Sequence, residues 1–232
     1  MADAPASQTL SRGIRILEVL ADARGPLSID EIAAALGVHR SIAYRLLRTL
    51  EDHRLVSRDA AGLVALGARM AALAAGVAND LQAEALPELT AVANELGMTC
   101  FLAVLDGEEC ITLVSVEPRH AVASVAQHPG ARHSVTVGAP GKAILAQLTE
   151  PEWPAGAGAA LRAEAAGVRT RGYATSHDEV IPTVQSVAVP LALRGQRPAA
   201  IAVLHVATDR TDAEIAARLE RSATTIRDAL GA

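Results

Sequence analysis

The chain has 232 residues, half of them apolar, a fifth charged and 2% aromatic, with a formal net charge of −5. That balance excludes a disordered chain, and no apolar run approaches the ~20 residues that a membrane span requires. The length suits two modest domains, whose cores must be built from Ala, Val, Leu and Ile because aromatic side chains are so scarce.

The opening residues, MADAPASQTLSRG, lack a basic segment followed by an apolar core, so no signal peptide is expected and a cytoplasmic location is. Cys100 and Cys110 sit in apolar, strand-like sequence and read as buried reduced thiols. The acidic excess is unevenly spread. Between His39 and Arg58, the five arginines Arg40, Arg45, Arg48, Arg54 and Arg58 face only Glu51 and Asp52. A local basic face of this kind is what phosphate binding requires, whatever the sign of the whole chain.

In the first segment Leu10, Ile14, Leu17 and Leu20 recur at helical spacing, and Gly25-Pro26 stops it. Ser28 and Glu31 then form a capping box for a short helix that ends at Gly37, a residue suited to a left-handed cap. A third helix is expected from about Arg40 to His53, with Ala43, Leu46, Leu47 and Leu50 inward. Ile32, Ala33, Leu36, Gly37, Val38, Ala43 and Leu46 together fill the positions that pack two short helices across a tight turn. This joint constraint predicts a helix-turn-helix. Arg40, Ser41, Tyr44, Arg45 and Arg48 are then left facing outward, where they suit phosphate, sugar or base edges. The alternating stretch from Leu55 to Leu66 turns at Ala60-Ala61-Gly62 and reads as a β-hairpin wing. Arg58 is its only arginine, so its expected contribution to affinity is minor.

An alanine-rich helical segment from Leu66 to about Asn79 reads as a linker, followed by a helix over Leu81–Leu96. Strands are expected at Thr99–Leu105 and Cys110–Glu117, joined across Asp106-Gly107, and again at Ala121–Gln127. After a His-, Gly- and Val-rich loop, Gly138-Ala-Pro-Gly-Lys opens a short helix. It is not a phosphate loop, because Thr136 stands where that motif needs glycine and Ala143 where it needs Ser or Thr. The free N–H groups at the helix start could still receive a small anion. Residues 154–167 are expected to be helical in part, 172–179 a polar loop, and Gln185–Leu193 and Ala199–Val206 two more strands. The mixture predicts an α+β domain with a central antiparallel sheet.

The last segment, from Thr211, superficially repeats the helix-turn-helix. Glu220 and Arg221 replace the turn glycine and its apolar follower, however, while Ile215, Leu219, Ser222, Ile226 and Leu230 mark one unbroken stripe. It therefore reads as a single helix capped by Thr211 and Glu214. The histidines His120, His128, His133, His177 and His205 do not fall at metal-ligand spacings, and no serine sits in a nucleophile elbow. His177 beside Asp178 and Glu179 reads as part of a polar loop. No metal, cofactor or catalytic constellation is expected, and the chain is read as a non-enzyme.

Taken in order, SRGIRILEVLA, LSIDEIAAALGVHRSIAYRLLRTLEDHRLVSRD, VGAPGKAILAQL and RGYATSHDEVIPTVQSVAVPL resemble the IclR family of bacterial transcriptional regulators. The resemblance implies a winged helix-turn-helix over residues 1–66, a linker helix over 67–80 and a GAF-like effector-binding domain over 81–232. It also implies a homodimer, or a dimer of dimers, on a pseudo-palindromic operator in double-stranded DNA, with no membrane partner. The effector it implies is a small organic or aromatic acid. DNA contacts are assigned to Arg12, Arg40, Ser41, Tyr44, Arg45, Arg48 and Arg58. Motif matching places the effector pocket at Val122, Val125, Ala139, Pro140, Ser176, Ser186, Val203 and His205. Two departures from the family pattern bear on the ligand. Members often carry an acidic residue near Ser176 and a cysteine at Ser186. The rival readings are a DNA-binding protein without small-molecule control and an enzyme with an accessory helix-turn-helix.

Overall fold

A computed structural model describes residues 7–23, 25–120 and 125–231. The chain divides into two compact units, Met1–Val77 and Ala78–Ala232. The first contains helices α1 (Gln8–Asp22), α2 (Ile29–Leu36) and α3 (Arg40–Asp52), strands β1 (Val56–Arg58) and β2 (Val64–Leu66), and helix α4 (Arg69–Ala74).

Local chemistry accounts for the boundaries of α2. The Ser28 N–H donates to Glu31 Oε2 at 2.7 Å while the Glu31 N–H donates back to Ser28 Oγ at 3.3 Å. At the other end Gly37 adopts φ +64°, and the Gly37 and Val38 N–H groups satisfy the carbonyls of Ala34 and Ala33. Ile16, Ile32, Ala43 and Leu47 are fully buried where the three helices meet, and Val56 and Val64 extend that core into the hairpin. Each buried aliphatic side chain contributes about 1.5–3 kcal/mol. On α1 the buried face is Gly13, Ile16 and Leu20, whereas Leu10 and Ile14 are exposed. Apolar residues at helical spacing run along two sides of this helix, so periodicity alone did not choose the inner one.

The β1–β2 hairpin turns where expected. The Asp59 carboxylate accepts from the Ala61 and Leu63 N–H groups, and Gly62 supplies a φ of +85°. The expected linker helix is shorter than its alanine content suggested. Helix α4 ends at Ala74, and Ala78 takes a left-handed φ of +46° before the next helix begins. Alanine favours helix without fixing its length.

The second unit contains α5 (Asn79–Leu96), β3 (Thr99–Asp106), β4 (Glu109–Val116), β5 (Arg132–Ser134), α6 (Gly138–Leu145), α7 (Ala159–Arg171), β6 (Ala174–His177), β7 (Gln185–Leu191), β8 (Ala199–His205) and α8 (Asp212–Ala229). The six strands among its described residues form one antiparallel sheet in the order β5-β4-β3-β8-β7-β6. Helix α8 is unbroken and capped by Thr211 and Glu214, so the repeated motif is one helix. Two strands fall in sequence read as loop. Both β5 and β6 are short, polar edge strands, which lack the apolar alternation that marks a strand. Of the strand expected at Ala121–Gln127, residues 121–124 lie outside the described residues and 125–127 are not in a strand.

The two faces of the sheet carry separate cores. Cys100, Leu102, Val187, Val189, Ile201 and Val203 pack against Leu89 of α5 and Ile215 and Leu219 of α8. Phe101, Ala103, Ala188, Ala200, Ala202 and Leu204 pack against Ala139, Ala143 and Ile144 of α6 and Val168 of α7. Alanine on both sides of this second interface lets α6 lie close to the sheet, and all eight of its residues are buried. Both cysteines are buried and free, and burial pushes the Cys110 thiol up to about 12. Among the described residues no helix is long and apolar enough to cross a membrane, and no cluster could hold a metal ion.

Candidate functional sites: the α3 face and the α6 cavity

Because Ala43, Leu46, Leu47 and Leu50 face inward, α3 presents Ser41, Tyr44, Arg45 and Arg48 on its outer side, at the three- and four-residue spacing of one helical face. Their electrostatic situations differ. Arg40 is ion-paired with Asp30, and Ser41 Oγ lies 2.9 Å from His39 Nδ1. Arg58, half-buried on β1, donates from Nε to Glu51 Oε1 at 2.8 Å and lies 5.9 Å from the Tyr44 ring centre. Arg12 is half-buried on α1. Arg45 and Arg48 are exposed and have no acidic partner among the described residues. Arg45 and Arg48, like Arg12, can therefore meet a phosphate without first breaking an internal pair, whereas Arg40 and Arg58 cannot.

The second site lies between α6 and the sheet, in a narrow cleft whose enclosed part is about 30 Å³. Sheet register sets its floor. Ser176 pairs with Ser186, Ser186 with Leu204, and Leu204 with Thr99, so one row crosses β6, β7, β8 and β3. Ser176, Ser186 and Leu204 line the cavity with Phe101, Pro140 and Val184. Ser186 is 5% exposed and its Oγ has no hydrogen-bond partner, an arrangement that costs stability unless something else satisfies it.

The N-terminus of α6 has no side-chain cap of its own. Distant residues serve instead: the Gly138 N–H donates to Glu179 Oε2 at 2.8 Å, and the Ala139 N–H donates to Ser176 Oγ at 3.0 Å. The anion-accepting end foreseen for this helix is thus occupied by the chain's own carboxylate. Gly138 is required there twice over, since its φ is +78° and a Cβ would meet Val180 Cγ2 at 3.0 Å. Lys142, also buried, bonds Glu164 at 2.6 Å and Glu179 at 2.5 Å. Burial alone would push its ammonium down, but those two hydrogen bonds reverse the shift and hold it above the usual range.

Of the positions assigned to a pocket, the structure brings Pro140, Ser176 and Ser186 to the cavity. Ala139 is buried in the core beside it, and Val125 packs against that core. Val122 lies outside the described residues. Val203 and His205 are not brought together with the others: strand alternation turns them to the opposite face, toward α5 and α8. There His205 has both ring nitrogens unpartnered, and burial pushes its pKa down. Leu204, Phe101 and Glu179 were missed. The acid in the RGYATSHDE stretch signalled polarity but not its destination, 41 residues back in the chain.

Residues 9–60 match the IclR helix-turn-helix domain, and residues 74–155 match the bacterial transcriptional regulator IclR C-terminal domain. The HTH-type transcriptional regulator Rv1719 of Mycobacterium tuberculosis is 34% identical over 212 residues, covering 84% of this chain and 80% of that protein. The chain belongs to the IclR family. Its fold agrees with the crystal structure of an IclR transcriptional regulator from Alicyclobacillus acidocaldarius, at a TM-score of 0.84 and 28% identity over 98% of this chain and 100% of that one. An IclR homologue from Microbacterium hydrocarbonoxydans, solved in complex with 4-hydroxybenzoate, superposes at a TM-score of 0.83 with 23% identity over 97% and 99% of the two chains. IclR-family proteins are DNA-binding transcriptional regulators, and α3 is the second helix of the helix-turn-helix in this one.

Proposed function

We propose that this IclR-family regulator reads a pseudo-palindromic operator through the outer face of α3, and that a small organic molecule in the α6 cavity controls that binding. The observation that carries the ligand part is Ser186, a buried hydroxyl without a partner that lines an amphipathic cavity. The 4-hydroxybenzoate complex of a protein with the same fold supports a small-molecule ligand for the architecture. Arg45 and Arg48 supply the phosphate or base contacts, with Ser41 and Tyr44 beside them. Arg12, Arg40 and Arg58 have subsidiary roles, the latter two because each is already paired with a carboxylate.

A homodimer supplies the two-fold symmetry, and the exposed Leu10 and Ile14 of α1 and Leu73 of α4 are the apolar surfaces a second copy would cover. By this reading the division of labour is residues 1–66 for DNA, 67–80 for connection and 81–232 for sensing, in the cytoplasm and without catalysis. The ligand acts by binding one arrangement of the dimer better than another. Selection of DNA from a random pool by the full chain tests the operator claim. An inverted repeat with half-sites about one helical turn apart is expected, whereas enrichment of a single asymmetric motif, or of none, would remove the two-fold reading.

A further inference from the structure

The start of α3 carries a polarity that bears on how this regulator reads bases. His39 is the N-cap of the helix, and its Nδ1 accepts from the Ser41 N–H at 3.3 Å. A backbone N–H can only donate, so Nδ1 holds a lone pair, the ring is neutral and its proton sits on Nε2. Ser41 Oγ lies 2.9 Å from the same Nδ1. With no proton on that nitrogen the hydroxyl must supply one, and Ser41 is left with lone pairs alone to offer outward.

Both residues are exposed. In a helix-turn-helix, the N-terminal residues of the second helix are the ones that reach base edges in the major groove. A hydroxyl there meets partners of opposite kinds. Phosphate oxygens, the guanine edge and thymine O4 only accept, whereas adenine N6 and cytosine N4 carry amino groups that donate. A hydroxyl whose proton is given to His39 can meet only the amino groups without breaking that bond. The arginines beside it cannot do the same, because a guanidinium has donors and no acceptor.

From this arrangement we propose that Ser41 Oγ accepts from the amino group of an adenine or a cytosine in each operator half-site, and that His39 is the positioning residue that holds the hydroxyl in that role. The proposal rests on the outer face of α3 being the DNA face. It narrows the part of Ser41, which as a free hydroxyl could serve a phosphate or any base. Every base pair carries one such amino group in the major groove, so what Ser41 reads is the strand on which it lies. His39 thereby caps α3 and removes the donor from the residue two places on. Replacing it frees the Ser41 proton and should make the contact tolerant of guanine or thymine on that strand.

Deleting single atoms from the DNA tests this, by anisotropy titration of the full chain on a site selected from a random pool. Purine in place of adenine, or pyrimidin-2-one in place of cytosine, removes one amino group at a time. One such deletion per half-site should weaken the wild-type chain about fivefold or more, the scale of a mismatched base pair, and should leave Ser41→Ala unaffected. Exchanging that base for guanine or thymine should cost the wild-type chain as much. In His39→Gly, which keeps an acceptable N-cap, the same exchange should cost about twofold or less. If Ser41→Ala weakens every site uniformly, or loses sensitivity only to 7-deazapurines or methylphosphonates, the acceptor role of Ser41 is overturned. An undiminished cost of exchange in His39→Gly would overturn the role of His39. Full affinity and unchanged base sensitivity in Ser41→Ala would remove Ser41 from the contact. The Arg45→Ala, Arg48→Ala double variant then decides the rest: lost affinity leaves the α3 face standing, and unchanged affinity overturns the face as well.

Discussion

Replacing both Arg45 and Arg48 with alanine should lower operator affinity about a hundredfold or more at moderate salt, with no loss of thermal stability. Each lost charged contact to DNA costs on the order of 1–3 kcal/mol, and every 1.4 kcal/mol is about a factor of ten. The fold should be indifferent, because both side chains are exposed and the inner face of α3 is untouched. Arg40→Ala and Arg58→Ala should each cost less in binding, since their guanidinium groups are engaged by Asp30 and Glu51 before DNA arrives. Losing two phosphate contacts should also flatten the dependence of log affinity on log salt by about two units. Anisotropy titrations at several salt concentrations read both effects. Unchanged affinity and slope in the double variant would reassign the DNA face.

The second large effect lies in the sensing unit. Gly141→Ala should destabilise it by about 1–3 kcal/mol or more, as overpacking of a close-fitted core does. A Cβ on Gly141 would fall 2.3 Å from the Val135 carbonyl oxygen and 2.9 Å from its carbon. Neither atom can yield cheaply. They are backbone, and the Val135 N–H is itself tied to the Glu108 carbonyl at 2.9 Å. Helix α6 would have to lift away from the sheet and loosen Ala143 and Ile144 from it, together with the cavity that Gly138 and Pro140 line. Gly167→Ala on α7 is the matched control, because its Cβ would meet only the Arg171 guanidinium, at 3.3 Å. There the gain in helix propensity should leave stability unchanged or raised by up to about 1 kcal/mol. Urea unfolding followed by circular dichroism separates the two, and equal midpoints for both variants would refute the close-approach argument.

The parts of the fold legible in sequence are those whose signals are local. The Ser28–Glu31 box, the left-handed Gly37, the Gly107 turn and the Thr211 cap each declare themselves within four residues. The helix-turn-helix was legible for the same reason, being a set of short-range packing constraints. The sensing site was legible only in part. Residues 199–204 are all apolar, so their sequence cannot say which alternate residues face the cavity. Only the pairing of Ser186 with Leu204 decides it, and that pairing turns Val203 and His205 away. The cap on α6 was hidden more deeply, since Glu179 reaches Gly138 through tertiary structure and no periodicity announces it. Strands β5 and β6 escaped because edge strands need no apolar alternation.

One coupled titration bears most directly on ligand-controlled DNA binding. Operator affinity is measured with and without a saturating cavity ligand, in the wild-type chain and in Ser186→Val. The account predicts that the ligand moves the wild-type midpoint tenfold or more, in either direction, while Ser186→Val binds the same DNA equally well and does not respond. A ligand that binds the wild-type cavity without moving the midpoint, or a shift that survives in Ser186→Val, would contradict it.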